Sequence, residues 1–301
     1  MPDELFNAQR ALLSKVYLQG YRDFFSCCSS YIKRPELVIL AGGRHYIDGL
    51  AHCRKFYCSH FMKSYLWESS RHMEKVNEFI RKEKLRPTML TLTLPHKAID
   101  SLKCLKVTLD RATRGFLAES RNKLIEGINQ NVGNEGYVLR NEITYNEQKG
   151  WHNHCHVLNL NHIDYSESQR NLLVDEFARQ LENSGFHFSR LDRYNIEKKG
   201  GLVHFRENSF DASYLSKYDE DNPVNLAITN PSKYIEFAQS FNDSGKIPLI
   251  KFKNGLKSKV GISKEKNQKE KELRRIQVPD FLINQSPEYI EEWVLNQKLC
   301  S

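Results

Sequence analysis

Apolar and polar positions alternate over Met89-Leu90-Thr91-Leu92-Thr93-Leu94-Pro95, with leucines at every second place. That period predicts a half-buried strand, closed by the proline. Leu102, Leu105, Leu109, Ala112 and Phe116 then recur at three- and four-residue spacing, which predicts an amphipathic helix. Tyr137 to Tyr145 reads as a second strand. Asn146-Glu147-Gln148-Lys149-Gly150 reads as its turn, and Trp151 to Leu158 as the strand returning from it. A helix is expected over Asn171 to Glu182, with Leu172, Leu173, Phe177 and Leu181 on one side and Gly185 as its stop. Leu202 to Arg206 is a short strand, and Asp211 to Lys217 a short helix capped by Ser209 or Asn208. A further helix precedes all of these and runs through Glu83.

This order mixes a hairpin with long helices. It implies an α+β fold: a central antiparallel sheet with helices on one face, preceded by an N-terminal Cys-rich region. The expected division is 1–83 for the Cys- and aromatic-rich region, 84–225 for a central domain and 226–301 for a basic C-terminal region. Gly42-Gly43 has no Lys-Ser/Thr of the kind that builds a phosphate loop, so it reads as a turn. Lys264 to Arg275 is a mixed-charge run and reads as a solvated helix face.

The hairpin carries the candidate chemistry. His152, His154 and His156 alternate with other residues, so on a strand all three point to one face. With the turn centred on Gln148, position 142 lies opposite 154, which puts Glu142 beside His154. A slip of one residue would send Glu142 to the other face. Imidazole and carboxylate together make a divalent-metal site. Glu142 is the expected carboxylate ligand, with His152 competing for the third place. Mg²⁺ or Mn²⁺ suits such a set when a substrate adds phosphate oxygens, Mn²⁺ accepting imidazole more readily. Cys155 should point away from the histidines.

Tyr214, Lys217 and Tyr218 stand at i, i+3 and i+4, which share one face of a helix. A tyrosine hydroxyl can attack phosphorus and form a covalent phosphotyrosine, and Lys217 can offset the charge that builds. Upstream, Cys53 and Cys58 with His60 and either Cys27 or Cys28 space soft ligands closely enough for a structural Zn²⁺ site; Cys28, Cys53, Cys58 and His60 are the candidate set.

Composition narrows the partners. The chain has 301 residues, 40% of them hydrophobic, and a formal net charge of +8. No apolar run is long enough for a membrane span, and no membrane partner is expected. The basic balance points to a polyanion, nucleic acid first. Arg54, Lys55, Phe56 and Tyr57 interleave charge with aromatic surface, as backbone contact plus base stacking requires. Lys251, Lys253, Lys257 and Lys259 form a second basic stretch suited to duplex DNA. Seven Cys residues, an odd count, and no export signal suggest free thiols or metal ligands and a cytoplasmic location.

On these motifs the chain resembles the HUH-type rolling-circle replication initiators of small plasmids. Residues 89–95 look like their first motif. Glu142 to Asn146 with Trp151 to Leu158 is similar to the second, and Tyr214 to Tyr218 to the third. The matches span roughly residues 85 to 225. Two departures stand out: Asn153 replaces the usual proline between histidines, and Tyr214 stands where many relatives carry Glu. The Tyr-x-x-Lys-Tyr order is similar instead to two-tyrosine initiators of small phages and to related single-strand transposases. The resemblance implies that His154, His156 and an upstream acid hold the metal. It further implies that Tyr214 or Tyr218 attacks one strand of origin DNA, stays joined to the 5′ phosphate, and leaves a 3′ hydroxyl for a polymerase. Single-stranded and duplex origin DNA, a host helicase and a host polymerase are the implied partners. The competing expectations are a transposase or relaxase with the same chemistry, and a non-catalytic zinc-stabilised DNA-binding protein.

Overall fold

The structure is a computed structural model. It describes residues 56–118, 121–189, 201–207, 211–217, 222–242 and 250–262, the backbone at 31–40, 45–50 and 272–277, and parts of 4–12. The chain forms two compact units. One gathers Met1–Tyr65, Val224–Ile235 and Lys264–Ser301; the other gathers Leu66–Pro223 and Glu236–Ser263. Each unit is therefore assembled from separated segments, whereas the sequence division ran through 1–83, 84–225 and 226–301 in order.

In the first unit, β1 (Tyr31–Leu40) pairs antiparallel with β2 (His45–Leu50) on one side and with β8 (Glu272–Gln277) on the other. The pairing of β8 corrects the reading of a solvated helix face at Glu272 to Arg275; the rest of that run, 264–271, lies outside the described residues. Glu272 to Gln277 is instead a strand, because Leu37 and Val38 of β1 offer it a partner that no local periodicity announces. Gly42 and Gly43 lie outside the described residues, between two strands that pair antiparallel. Buried Gln9 accepts hydrogen bonds from the Ser59 amide (3.2 Å) and hydroxyl (3.1 Å), and its side-chain amide donates to the Val224 carbonyl (3.1 Å). The Tyr234 hydroxyl donates to the Tyr57 carbonyl at 2.8 Å. Of the expected zinc ligands, Cys58 is buried. Cys27, Cys28 and Cys53 and the His60 side chain lie outside the described residues.

The second unit is α+β. Its sheet is antiparallel throughout, with five strands in the order β6 (Val203–Glu207), β3 (Arg86–Thr93), β5 (Gly150–Asn161), β4 (Tyr137–Asn146) and β7 (Ile250–Lys253). Helix α2 (Leu102–Phe116) covers one face. Ser101 caps it by accepting from the Cys104 amide, and Leu102, Leu105, Leu109, Ala112 and Phe116 are all buried, as their spacing predicts. Helix α3 (Lys123–Val132) is capped by Asn122 and ends on Gly133 in the left-handed conformation. Helix α4 (Glu167–Asn183) opens with a capping box between Ser166 and Gln169, and packs Phe177 edge-on against Phe116 at 5.5 Å. Leu173 and Leu181 are buried as expected. Leu172 is 42% exposed, one position off the buried stripe.

The other face also receives helix. From Leu66 onward, α1 (Ser59–Lys82) belongs to this unit. His72 meets Phe252 of β7 edge-on at 6.1 Å, and the Asn77 side chain accepts from the Ala212 amide at 2.9 Å. Helices are thus not confined to one face; buried Met73 and Val76 require a surface of their own to pack against. Among the described residues, no helix is long and apolar enough to cross a membrane.

Candidate metal centre and tyrosine turn

The β4–β5 hairpin sets the site. Its register pairs Tyr145 with Trp151, Thr144 with His152, Glu142 with His154 and Arg140 with His156. Position 142 therefore lies opposite 154, as the turn length predicts. At the head of β5, Gly150 has φ +77°, and an added Cβ would come within 2.6 Å of the Ala98 carbonyl oxygen. Only glycine tolerates both demands.

Glu142 Oε2 lies 2.9 Å from His156 Nε2 and 3.3 Å from His154 Nε2. One ligand atom from each of the three side chains falls within 4.8 Å of the others. Donors around a cation bound at about 2.0–2.2 Å sit roughly 3 Å apart, so the spacing fits. Electrostatics fits too. Burial by itself raises the Glu142 carboxyl, but hydrogen bonds from His154 and His156 and the field of Arg140 outweigh it and hold it well below the ordinary carboxylate range. Burial lowers His156 despite its bond to Glu142. A charged carboxylate beside a neutral imidazole is the form that ligates. These three side chains can hold a metal ion.

His152 points to the same face but stands outside that set. Its ring lies 4.7 Å from His154 and 5.3 Å from His96, a residue the sequence did not single out. Burial, then the nearby His154 and His96, push its imidazole down to about 4. Cys155 points the opposite way, as expected, and is fully buried; burial pushes its thiol up, and a neighbouring carboxylate, Asp110, adds to this.

The tyrosine segment differs from its expected form. Residues Ala212–Ser216 make a 3₁₀ turn capped by Asp211, whose carboxylate accepts from the Ser213 amide at 2.9 Å. The predicted caps Asn208 and Ser209 lie outside the described residues. Lys217 leaves the turn extended, with ψ 137°. The shared α-helical face of Tyr214 and Lys217 is therefore not formed, and Tyr218 lies outside the described residues. Arg140 binds the end of this turn. Its buried guanidinium donates at 3.0 Å to the Tyr214 carbonyl, which also accepts from the Lys217 amide at 3.3 Å, and at 3.1 Å to the Lys217 carbonyl.

This clamp brings the turn to the histidines. The Tyr214 ring stands edge-on to His156, centroids 5.7 Å apart, while 38% of the residue stays exposed. Thr91 adds a supporting contact, its hydroxyl lying 3.0 Å from His156 Nδ1. Ligating histidines are commonly oriented by a partner on the second ring nitrogen.

No family model, curated protein or solved structure matches the chain.

Arg140 and Thr91 escaped the sequence reading. Both carried a weak signal. Arg140 precedes Glu142 by two residues on the same strand, and Thr91 is the polar phase of the alternation read for its leucines. The basic stretch at 251–259 resolves into different surroundings. Lys251 and Lys253 sit on edge strand β7 opposite Leu139 and Tyr137, and Lys259 is bound to Glu135 at 2.6 Å.

Proposed function

We propose that the protein nicks and rejoins one strand of origin DNA through a 5′-phosphotyrosine at Tyr214, and so starts rolling-circle replication. The observation that carries this reading is the Tyr214 ring lying against His156, one of three side chains able to hold a cation. The motif resemblance over residues 85 to 225 supplies the reaction class.

Glu142, His154 and His156 would hold Mg²⁺ or Mn²⁺, which supplies Lewis-acid polarisation of a phosphodiester oxygen. The rest falls to the chain itself. The Tyr214 hydroxyl gives its proton to water and its oxygen bonds to phosphorus. The bond from phosphorus to the 3′ oxygen breaks, and that oxygen takes up a proton to become a free 3′ hydroxyl. Resealing is the reverse: a 3′ hydroxyl attacks the phosphotyrosine and releases the phenol. Lys217 offsets charge on the phosphate, Arg140 holds the turn in place, and Thr91 orients His156. The exposure of Tyr214 leaves a strand room to reach it.

The test is a covalent adduct. Incubation with single-stranded origin DNA and Mn²⁺ should yield a protein–DNA band that survives denaturing electrophoresis. Tyr214→Phe should reduce that band by about 10³-fold or more while the variant still binds DNA. Undiminished adduct in Tyr214→Phe would place the nucleophile elsewhere, with Tyr218 next in line. Retarded DNA on native gels with no adduct from the wild-type protein would identify a zinc-stabilised binder instead.

A further inference from the structure

A cavity of about 450 Å³ opens beside the tyrosine turn, lined among others by Ser70, Arg206, Asp211, Tyr214, Ser216 and Lys217. Its two cations among the described residues come from different elements. Arg206 belongs to edge strand β6 and pairs across to Met89 of β3, and on the same strand His204 pairs with Thr91. Since Thr91 contacts His156, Arg206 and His204 lie on the metal-bearing face of the sheet. Both are exposed, and Arg206 makes no ion pair with any described residue. Lys217 enters from the end of the 3₁₀ turn, and Ser70 from α1.

We infer that this cavity is a phosphate subsite for single-stranded DNA, in which Arg206 binds a phosphodiester next to the one that Tyr214 attacks. The inference deepens the reading of Tyr214 as nucleophile and rests on it for the position of the attacked phosphate. Guanidinium presents paired N–H donors that match two phosphate oxygens, and hydroxyls complete such a shell. A phenol lining the same wall places the bound phosphate next to the nucleophile. A flexible single strand can turn its backbone into a concave site, which a stiff duplex resists. The strand would thus cross β6, the edge of the sheet among the described strands, before reaching the histidines. One group opposes the anion: the Asp211 carboxylate. It is already engaged by the Ser213 amide and the Asn77 side chain, which limits its repulsion without removing it.

The experiment measures binding of a short fluorescein-labelled oligothymidylate by anisotropy, in EDTA, across a salt series. Arg206→Gln should weaken binding about 10-fold and reduce the magnitude of the salt slope by about 0.7, the value of one phosphate contact on a single strand. Arg206→Lys should recover part of the affinity. Asp211→Asn keeps a competent helix cap and should tighten binding roughly 3-fold by removing a like charge. Unchanged affinity and slope in Arg206→Gln, or no gain in Asp211→Asn, would overturn the subsite. The thermal midpoint and Mn²⁺ affinity of Arg206→Gln should match the wild type; a fall in both would assign Arg206 a structural role and also overturn it. The Mn²⁺ adduct assay separates the two readings. Adduct formation with unchanged Arg206→Gln binding removes the subsite and keeps the nucleophile. Weakened binding with no wild-type adduct keeps the subsite and removes the nucleophile. No oligonucleotide binding by the wild type removes both.

Discussion

The two sides of strand β5 do different work. Trp151, Asn153, Cys155 and Val157 face the side covered by α2 and are almost wholly buried. His152, His154 and His156 face the other way, into a polar cluster with Glu142, Arg140, Thr91 and Tyr214. One strand therefore fills a core on one side and gathers possible metal ligands on the other, divided residue by residue. The α2 side gains free energy by removing apolar area from water. The histidine side holds polar groups close together, with His156 between Glu142 and Thr91 and with His154 Nδ1 buried and unpartnered among the described residues, at little gain in stability. Substitutions on the two sides should accordingly fail in different assays, except at Arg140, which also ties two distant segments together.

The largest expected effect tests the covered side. Trp151 is fully buried, packed near Tyr145 and Phe237. Trp151→Ala should cost about 3–5 kcal/mol of unfolding free energy, read from urea denaturation. A loss under 1 kcal/mol would break the proposed division. Arg140 comes next, because it joins two segments of the polar side. Arg140→Ala removes two charge-assisted hydrogen bonds and should cost about 1.5–3 kcal/mol. Arg140→Lys keeps the charge but cannot reach two carbonyls with a planar fork. It should slow adduct formation while sparing Mn²⁺ affinity. Equal loss of both would mean that Arg140 acts through Glu142 rather than through the tyrosine turn.

A smaller change is expected at Thr91. Thr91→Val preserves shape and β preference but removes the hydroxyl at His156 Nδ1. Metal affinity measured by Mn²⁺ titration should fall about 10-fold, with the unfolding midpoint nearly unmoved. The smallest effect lies among the covering helices, at Glu176. Burial by itself raises its carboxyl, but hydrogen bonds from Arg179, Gln180 and Asn122 hold it below the ordinary value. A depressed carboxyl stabilises the fold above its unfolded pKa, and that contribution is lost as pH falls through the folded value. Between pH 7 and pH 3, Glu176→Gln should therefore show a shallower loss of stability than the wild type. Identical pH profiles would show that the Glu176 network does not act through its charge.

The helical spacing in α2 was fully legible, since one stripe of five apolar residues has a single way to be buried. The hairpin was legible for a related reason: turn length and a period of two together determine which residues stand opposite one another. The pairing of Glu142 with His154 followed from counting alone. The tyrosine turn was less so. Its residues have helical spacing, yet they close as a short 3₁₀ turn with the distant Arg140 bound at its end, and spacing alone does not announce that. Strand β8 was misread because its partner, β1, is separated from it by most of the chain, and a charged run carries no sign of which edge awaits it.

From its sequence alone, this protein had already determined that three histidines share one face of a strand and that an acid stands across from the middle one. Backbone geometry imposes both over a few residues, so no distant contact is required. Only the tertiary structure decided that His152 stays outside the ligand set, that Arg140 binds the tyrosine turn, and that Tyr214 stands against His156. The first is settled within the hairpin by distance from Glu142; the other two depend on segments far apart in the chain meeting in space. Such a meeting is governed by the packing of whole elements, which leaves no periodic trace in either segment.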